Sequence, residues 1–134
     1  MESIEKIEGI GAAFKKKLQE IGINNVNDLL EAGGTPAGRK SLAEKTGIRG
    51  ELILEWVNHA DLFRIRGVGE EYSDLLELAG VDTVVELAQR NPENLYMAMM
   101  AKNEDKKVVR RMPSQKQVAD WVDQAKSLPR KISY

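Results

Sequence analysis

The chain has 134 residues, 20 of them basic and 21 acidic, for a formal net charge of -1 and an isoelectric point near 5.9, so it lacks the overall positive charge of the usual non-specific nucleic-acid binder. It contains no cysteine, which excludes disulfides, thiolate metal sites and cysteine nucleophiles. The length suits one compact domain, or two closely packed halves of one, and the few aromatics with many Leu, Ala, Glu and Lys favour helix over sheet.

Taken in order, the chain opens with alternating acidic and apolar residues in place of a basic region and an apolar core. No apolar run approaches a membrane span, and a soluble cytoplasmic protein is expected. Ile7-Glu8-Gly9-Ile10-Gly11 then forms a tight turn that feeds an amphipathic helix with Phe14, Leu18 and Ile21 on one face. Gly22 stops that helix, and Asn25 caps a second one through Ala32, with Asp28 at its third position. Thr35-Pro36, a cap followed by proline at the first helical position, opens a third helix to about Lys45 that Gly47 ends. A fourth runs from about Gly50 to Leu62, with Leu52, Ile53, Trp56 and Val57 on one face.

Ile65-Arg66-Gly67-Val68-Gly69 begins the sequence of elements again. A helix with Tyr72, Leu76 and Ala79 on one face follows and stops at Gly80. Thr83-Val84-Val85-Glu86 reads as a capping box, in which hydroxyl and carboxylate satisfy backbone donors reciprocally. Asn91-Pro92 starts the next helix. Lys102 to Met112 is polar, then basic, and reads as a lengthened irregular connection. Ser114 and Gln117 form another capping box, and the last helix runs to about Ser127 with Val118, Trp121, Val122 and Ala125 repeating the pattern of Ile53, Trp56, Val57 and Ala60. Pro129 ends it, and Arg130 to Tyr134 form a short tail without helical signal.

The correspondence holds at one spacing, 58 residues from Gly9 to Gly67, and places Gly22, Ile23, Val26 and Leu29 on Gly80, Val81, Val84 and Leu87. It reads as an internal duplication, with a first unit over residues 1–62 and a second over 63–134. The expected fold is all-α: two similar helical units packed together around Phe14, Leu18, Trp56, Tyr72, Leu76 and Trp121. The two tryptophans take equivalent core positions.

The run Ile7-x-Gly9-Ile10-Gly11, with Leu18, Gly22-Ile23, Val26 and Leu29, resembles the helix-hairpin-helix motif of DNA repair, recombination and transcription proteins. The two copies with the stretches after them also resemble an uncharacterised bacterial family of tandem helix-hairpin-helix proteins over nearly the full chain. The first likeness implies nucleic-acid phosphate binding by hairpin amides, and the second implies a fold. Ala12 and Glu70 stand where a proline often follows the second glycine of the motif. Only Met1 to Lys6 precede the first hairpin to form its leading helix.

Helix-start amides lack partners and sit at the positive end of the helix dipole, so Gly9, Ile10, Gly11 and Ala12 are the candidate phosphate-contacting residues, with Lys15 and Lys16 in support. At about 100° per residue Lys15, Lys16 and Lys17 fan over roughly 200° of helix, so at most two serve one ligand. Glu70 and Glu71 suit the dipole of the second helix start but would repel an incoming phosphate. Charge is uneven: residues 1–65 carry 9 basic and 10 acidic side chains, 66–101 carry 2 and 7, and 102–134 carry 9 and 4. Lys106, Lys107, Arg110 and Arg111 form the densest basic cluster, a secondary patch for a nucleic-acid strand or an acidic partner, although a solvated face is the commoner reading of such a run.

Other chemistry finds little support. A dinucleotide fold fails because Phe14 and Tyr72 stand where a third glycine is needed, and a P-loop fails because neither turn ends in Gly-Lys-Ser/Thr. His59 is the single histidine and reads as a helix-surface residue; no metal and no cofactor are expected. Tyr96, Met97, Met99 and Met100 read as core or repeat interface. No residue stands in the context of a nucleophile or general base. A non-catalytic module that binds nucleic-acid backbone without sequence specificity is the leading expectation. A protein-interaction adaptor, with the hairpins as scaffold and the charge asymmetry selecting a protein partner, is the alternative.

Overall fold

The computed structural model describes residues 2–134. Among them are eight α-helices and one short 3-10 turn, with no strand beyond an isolated antiparallel bridge between Ser3 and Asn25. The fold is all-α. The described backbone divides into two compact units, residues 2–61 with 130–134, and residues 62–129. No helix among the described residues is long and apolar enough to cross a membrane.

The first unit contains the 3-10 turn Ile4–Lys6 and helices α1 (Ala12–Glu20), α2 (Val26–Gly33) and α3 (Pro36–Thr46), and α4 (Gly50–Leu62) lies in it up to Asp61. Asn25 starts α2 by accepting the Asp28 N–H at 2.9 Å, and the Asp28 carboxylate accepts the Asn24 N–H at 3.1 Å. Thr35 starts α3 by accepting the Gly38 N–H at 3.0 Å, with Pro36 as the first helical residue, where its missing N–H costs nothing. Ile4, Ile7, Leu18, Leu29, Ile53, Val57 and Trp56 are all buried in this unit with almost no exposure. Phe14 lies 5.1 Å from Trp56, centroid to centroid, but is only half-buried, so it lids the core and is not at its centre.

The tail belongs to this unit. Residues 130–134, which the sequence pattern attaches to the second half, fold back so that Ile132 is buried. The Ser133 N–H donates to the Gly34 carbonyl at 2.8 Å, and Arg39 donates to the Ser133 carbonyl at 2.7 Å. The Arg39 guanidinium also stands 5.8 Å from the centroid of the Tyr134 ring. Nothing in five non-helical residues signals this docking, because its partners lie about 100 residues upstream in sequence.

The second unit contains α5 (Glu70–Leu78), α6 (Val84–Ala88), α7 (Pro92–Lys106) and α8 (Gln115–Ser127), with α6 and α7 packed on α8 and α5 on α7. Leu75, Leu76, Leu87, Leu95, Met99, Val118 and Val122 enclose Trp121. Tyr72, 5.2 Å from Trp121, is only partly buried, as Phe14 is in the first unit. The capping box at Ser114 forms as read: Ser114 Oγ accepts the Gln117 N–H at 3.1 Å, and Gln117 Oε1 accepts the Ser114 N–H at 2.8 Å. At Thr83 only half of the expected box forms. Thr83 Oγ1 accepts the Glu86 N–H at 3.4 Å, while the Glu86 carboxylate takes the Thr83 hydroxyl proton at 3.3 Å and not a backbone proton.

Two further expectations are corrected. Helix α7 continues to Lys106, so the stretch read as an irregular connection is half helix; Lys102, Glu104 and Lys106 are good helix formers, and a terminal lysine suits the dipole. His59 is buried at 4% exposure and not on the surface, because α4 is covered on more of its circumference than the Ile53, Trp56, Val57 and Ala60 stripe reveals.

Candidate functional site

The first turn is closed by the Ile10 N–H donating to the Ile7 carbonyl at 3.2 Å. Its third residue, Gly9, has φ of +95°, the left-handed region that a turn of this kind demands and that L side chains avoid. A second constraint falls on the same atom. A Cβ built on Gly9 would stand 3.1 Å from the indole Nε1 of buried Trp56, so the core tryptophan is seated against the turn backbone. Gly11 then caps α1 in extended backbone, with φ -87° and ψ -173°, and supplies no side-chain acceptor. The Lys15 N–H, donating to the Gly11 carbonyl at 2.9 Å, is the first amide satisfied by the helix. The amides ahead of it belong to the helix start, where no intrahelical carbonyl is in reach.

This geometry redistributes the expected contacts. Gly9, Gly11 and Ala12 are exposed, but Ile10 is buried and its N–H is consumed inside the turn, so Ile10 contributes core packing and no free donor. Lys15 Nζ lies 2.9 Å from Glu5 Oε2, and that ion pair draws its charge away from the helix start. Lys17 stands 6.0 Å from the Phe14 ring centroid. Lys16 is exposed, and among the described residues its side chain makes no ion pair.

In the second unit the Val68 N–H donates to the Ile65 carbonyl at 3.1 Å, and Gly67 has φ of +97°. A Cβ on Gly67 would stand 2.9 Å from Trp121 Nε1. Gln124 of α8 grips the turn from outside: its Oε1 accepts the Arg66 N–H at 2.8 Å and its Nε2 donates to the Arg66 carbonyl at 3.0 Å. Gly69 caps α5 without a side-chain acceptor, and Glu70 and Glu71 occupy the first turn. Both glutamates are exposed, so the negative charge sits where an approaching anion would meet it.

The basic cluster belongs to the second unit as well. Lys106 is the last residue of α7, 4.0 Å from the Asp105 carboxylate. Lys107 follows in left-handed backbone, with its N–H on the Asn103 carbonyl at 2.8 Å. The Asn103 side chain accepts the Val109 N–H at 2.9 Å, and the Tyr72 hydroxyl donates to the Arg111 carbonyl at 3.0 Å. Arg110 and Arg111 are exposed, whereas Val109 and Pro113 are buried. Asn103 is the residue that the sequence pattern passes over; its signal is an asparagine one turn before the helix end, where it can hold both the last turn and the loop. Of the methionines on α7, Met99 is core, and Met97 and Met100 are exposed at 56% and 37%.

A family model described as a domain of unknown function (DUF4332) matches residues 8–128. No curated protein matches the chain, and no solved structure does.

Proposed function

The chain belongs to this family of unknown function, DUF4332, and on that premise we propose, from its own geometry, a duplicated, non-catalytic helix-hairpin-helix protein of the cytoplasm that contacts nucleic-acid backbone through its first hairpin. Support for the duplication comes from paired local geometry. Gly22 and Gly80 have φ of +88° and +95°, and the Ile23 and Val81 amides donate to Leu18 and Leu76 at 3.0 and 2.9 Å. Each such pair is 58 residues apart, as Gly9 and Gly67 are.

One observation carries the functional part. Helices α2, α3, α6, α7 and α8 all begin with a side-chain acceptor on a first-turn amide, whereas α1, behind Gly9, begins with none. An uncapped helix start with exposed glycine at its cap and no acidic residue in its first turn suits a phosphate oxygen. The amides of Gly11 and Ala12 would donate to the phosphate oxygens and Lys16 would add charge. Contacts of this kind fix position on a strand and carry no base information. The test is a low-salt titration with duplex DNA, single-stranded DNA and RNA: Lys16→Glu is expected to weaken binding to all sequences alike, and Glu70→Lys with Glu71→Lys to strengthen it. No association in any arm, the charge reversal included, would remove the reading.

A second reading, the interaction adaptor, is favoured by the exposed Met97 and Met100 flanked on α7 by Glu93 and Glu104. Flexible, polarisable methionines accommodate varied apolar partners. It predicts loss of a protein partner, and unchanged nucleic-acid behaviour, on Met97→Glu.

A further inference from the structure

We propose that the loop after α7 is itself a phosphodiester-binding site, in which Lys107, Arg110 and Arg111 contact the backbone of a nucleic acid. The inference does not depend on the first hairpin, since it rests on a different unit and on different residues.

Lys107 is the starting point. It is the one non-glycine residue among those described with positive φ, at φ 53° and ψ 47°. Helix α3 ends in the same way at Gly47, with φ of 73°, and there the residue is the one that adopts this conformation without strain. A lysine in that backbone is strained relative to glycine. Its side chain is exposed and makes no hydrogen bond or ion pair among the described residues, so no contact of the side chain itself offsets the strain. What the lysine adds over glycine is its ammonium group.

The rest of the loop holds that charge in a fixed frame. Asn103 tethers Lys107 and Val109 through its carbonyl and its side chain, the Tyr72 hydroxyl holds the Arg111 carbonyl, and Val109 and Pro113 anchor the chain to the core. A loop backbone held by such contacts loses less freedom on binding, which lowers the entropic cost. Arg110 and Arg111 also lack ion-pair partners among the described residues, in contrast to Lys15, which Glu5 holds. Three cations without ion-pair partners among the described residues lie within five positions of a protein of net charge -1, and they form a local positive field. A phosphodiester fits this arrangement best. The guanidinium fork matches phosphate oxygens two at a time, and a strand presents phosphates in series, so that cations distributed along a loop can each meet one.

Counterion release sets the size of the effect. Between about 50 and 200 mM salt each neutralised duplex phosphate costs about 3.5-fold in affinity, and three cost about 40-fold. The experiment is fluorescence anisotropy of the full chain against a labelled duplex of about 20 base pairs across that salt range. Arg110→Gln with Arg111→Gln is expected to make the log-log salt slope shallower by about 1.8, and Lys107→Gly by about 0.9. Lys107→Gly is also expected to raise the melting temperature while it weakens binding, a pairing that a merely solvated lysine would not produce.

Unchanged affinity and slope in the folded double-arginine variant would overturn the site. A lower melting temperature for Lys107→Gly would overturn the strain argument on which it starts. Displacement of the duplex by poly-L-glutamate at equal charge would assign the loop to acidic polypeptides and overturn the phosphodiester. Lys16→Glu separates the two proposals: loss of binding there but not in the loop variants removes this inference and leaves the hairpin reading, and the opposite pattern leaves the loop and removes the hairpin.

Discussion

Replacing Gly67 with alanine tests the central packing relation of the second unit. Two costs coincide at this residue. At φ of +97° an L side chain is strained by about 1–2 kcal/mol. The new methyl would also stand 2.9 Å from Nε1 of Trp121, a side chain only 1% exposed, so the indole must shift within a filled core. Overpacking of that kind costs about 1–3 kcal/mol, and the sum is on the order of 3 kcal/mol. Two controls separate the terms. Gly47 has φ of +73° but open space where its Cβ would lie, so Gly47→Ala should cost about 1 kcal/mol from strain alone. Gly11 has neither positive φ nor a neighbour within 4 Å, and Gly11→Ala should fall within about 0.5 kcal/mol of the parent. Urea denaturation followed by circular dichroism gives all three from midpoint shifts at constant m. If Gly67→Ala costs no more than Gly47→Ala, the tryptophan contact is not what selects glycine at this turn, and the packing account fails.

Trp56→Ala and Trp121→Ala should each cost on the order of 3–5 kcal/mol, since both rings are 1% exposed; a loss below about 1 kcal/mol in the same denaturation would contradict their burial. Ile132→Ala should cost about 2 kcal/mol and speed proteolytic removal of the tail, because its side chain is 3% exposed and its neighbours hold Gly34 and Arg39. A tail as easily cleaved in the parent as in the variant would show that it is not docked. Ser114→Ala removes one half of a reciprocal cap at the start of α8 and should lower stability by about 1 kcal/mol, with Ser114→Gly less costly; equal losses would point to some other role for the hydroxyl.

Charge and backbone divide the two turns differently. Both have the same hydrogen bond and the same left-handed glycine, yet α1 opens on uncharged residues and α5 on two glutamates. Backbone geometry alone therefore does not decide what either helix start can bind, because a carboxylate within the first turn answers the dipole that an external anion would otherwise meet. This is why the charge reversal at Glu70 and Glu71 is the informative arm of the titration.

The helices themselves were determined by local sequence. Asn25, Thr35, Thr83, Asn91 and Ser114 each begin a helix where hydrogen bonding to their own chain predicts it, and Gly47 ends one, since caps and stops act over three or four residues. The all-α class and the two buried tryptophans follow from the same short-range periodicity. Three things were decided only by tertiary structure. The Lys15 ammonium is spent on Glu5, ten residues earlier, a contact fixed by how the turn closes over the preceding residues. His59 is buried by helix coverage that no single-helix pattern contains. The tail and the basic loop owe their positions to Gly34, Arg39, Tyr72 and Asn103, and the most distant of these partners are invisible to any periodic signal because a contact across many residues leaves no period in the sequence.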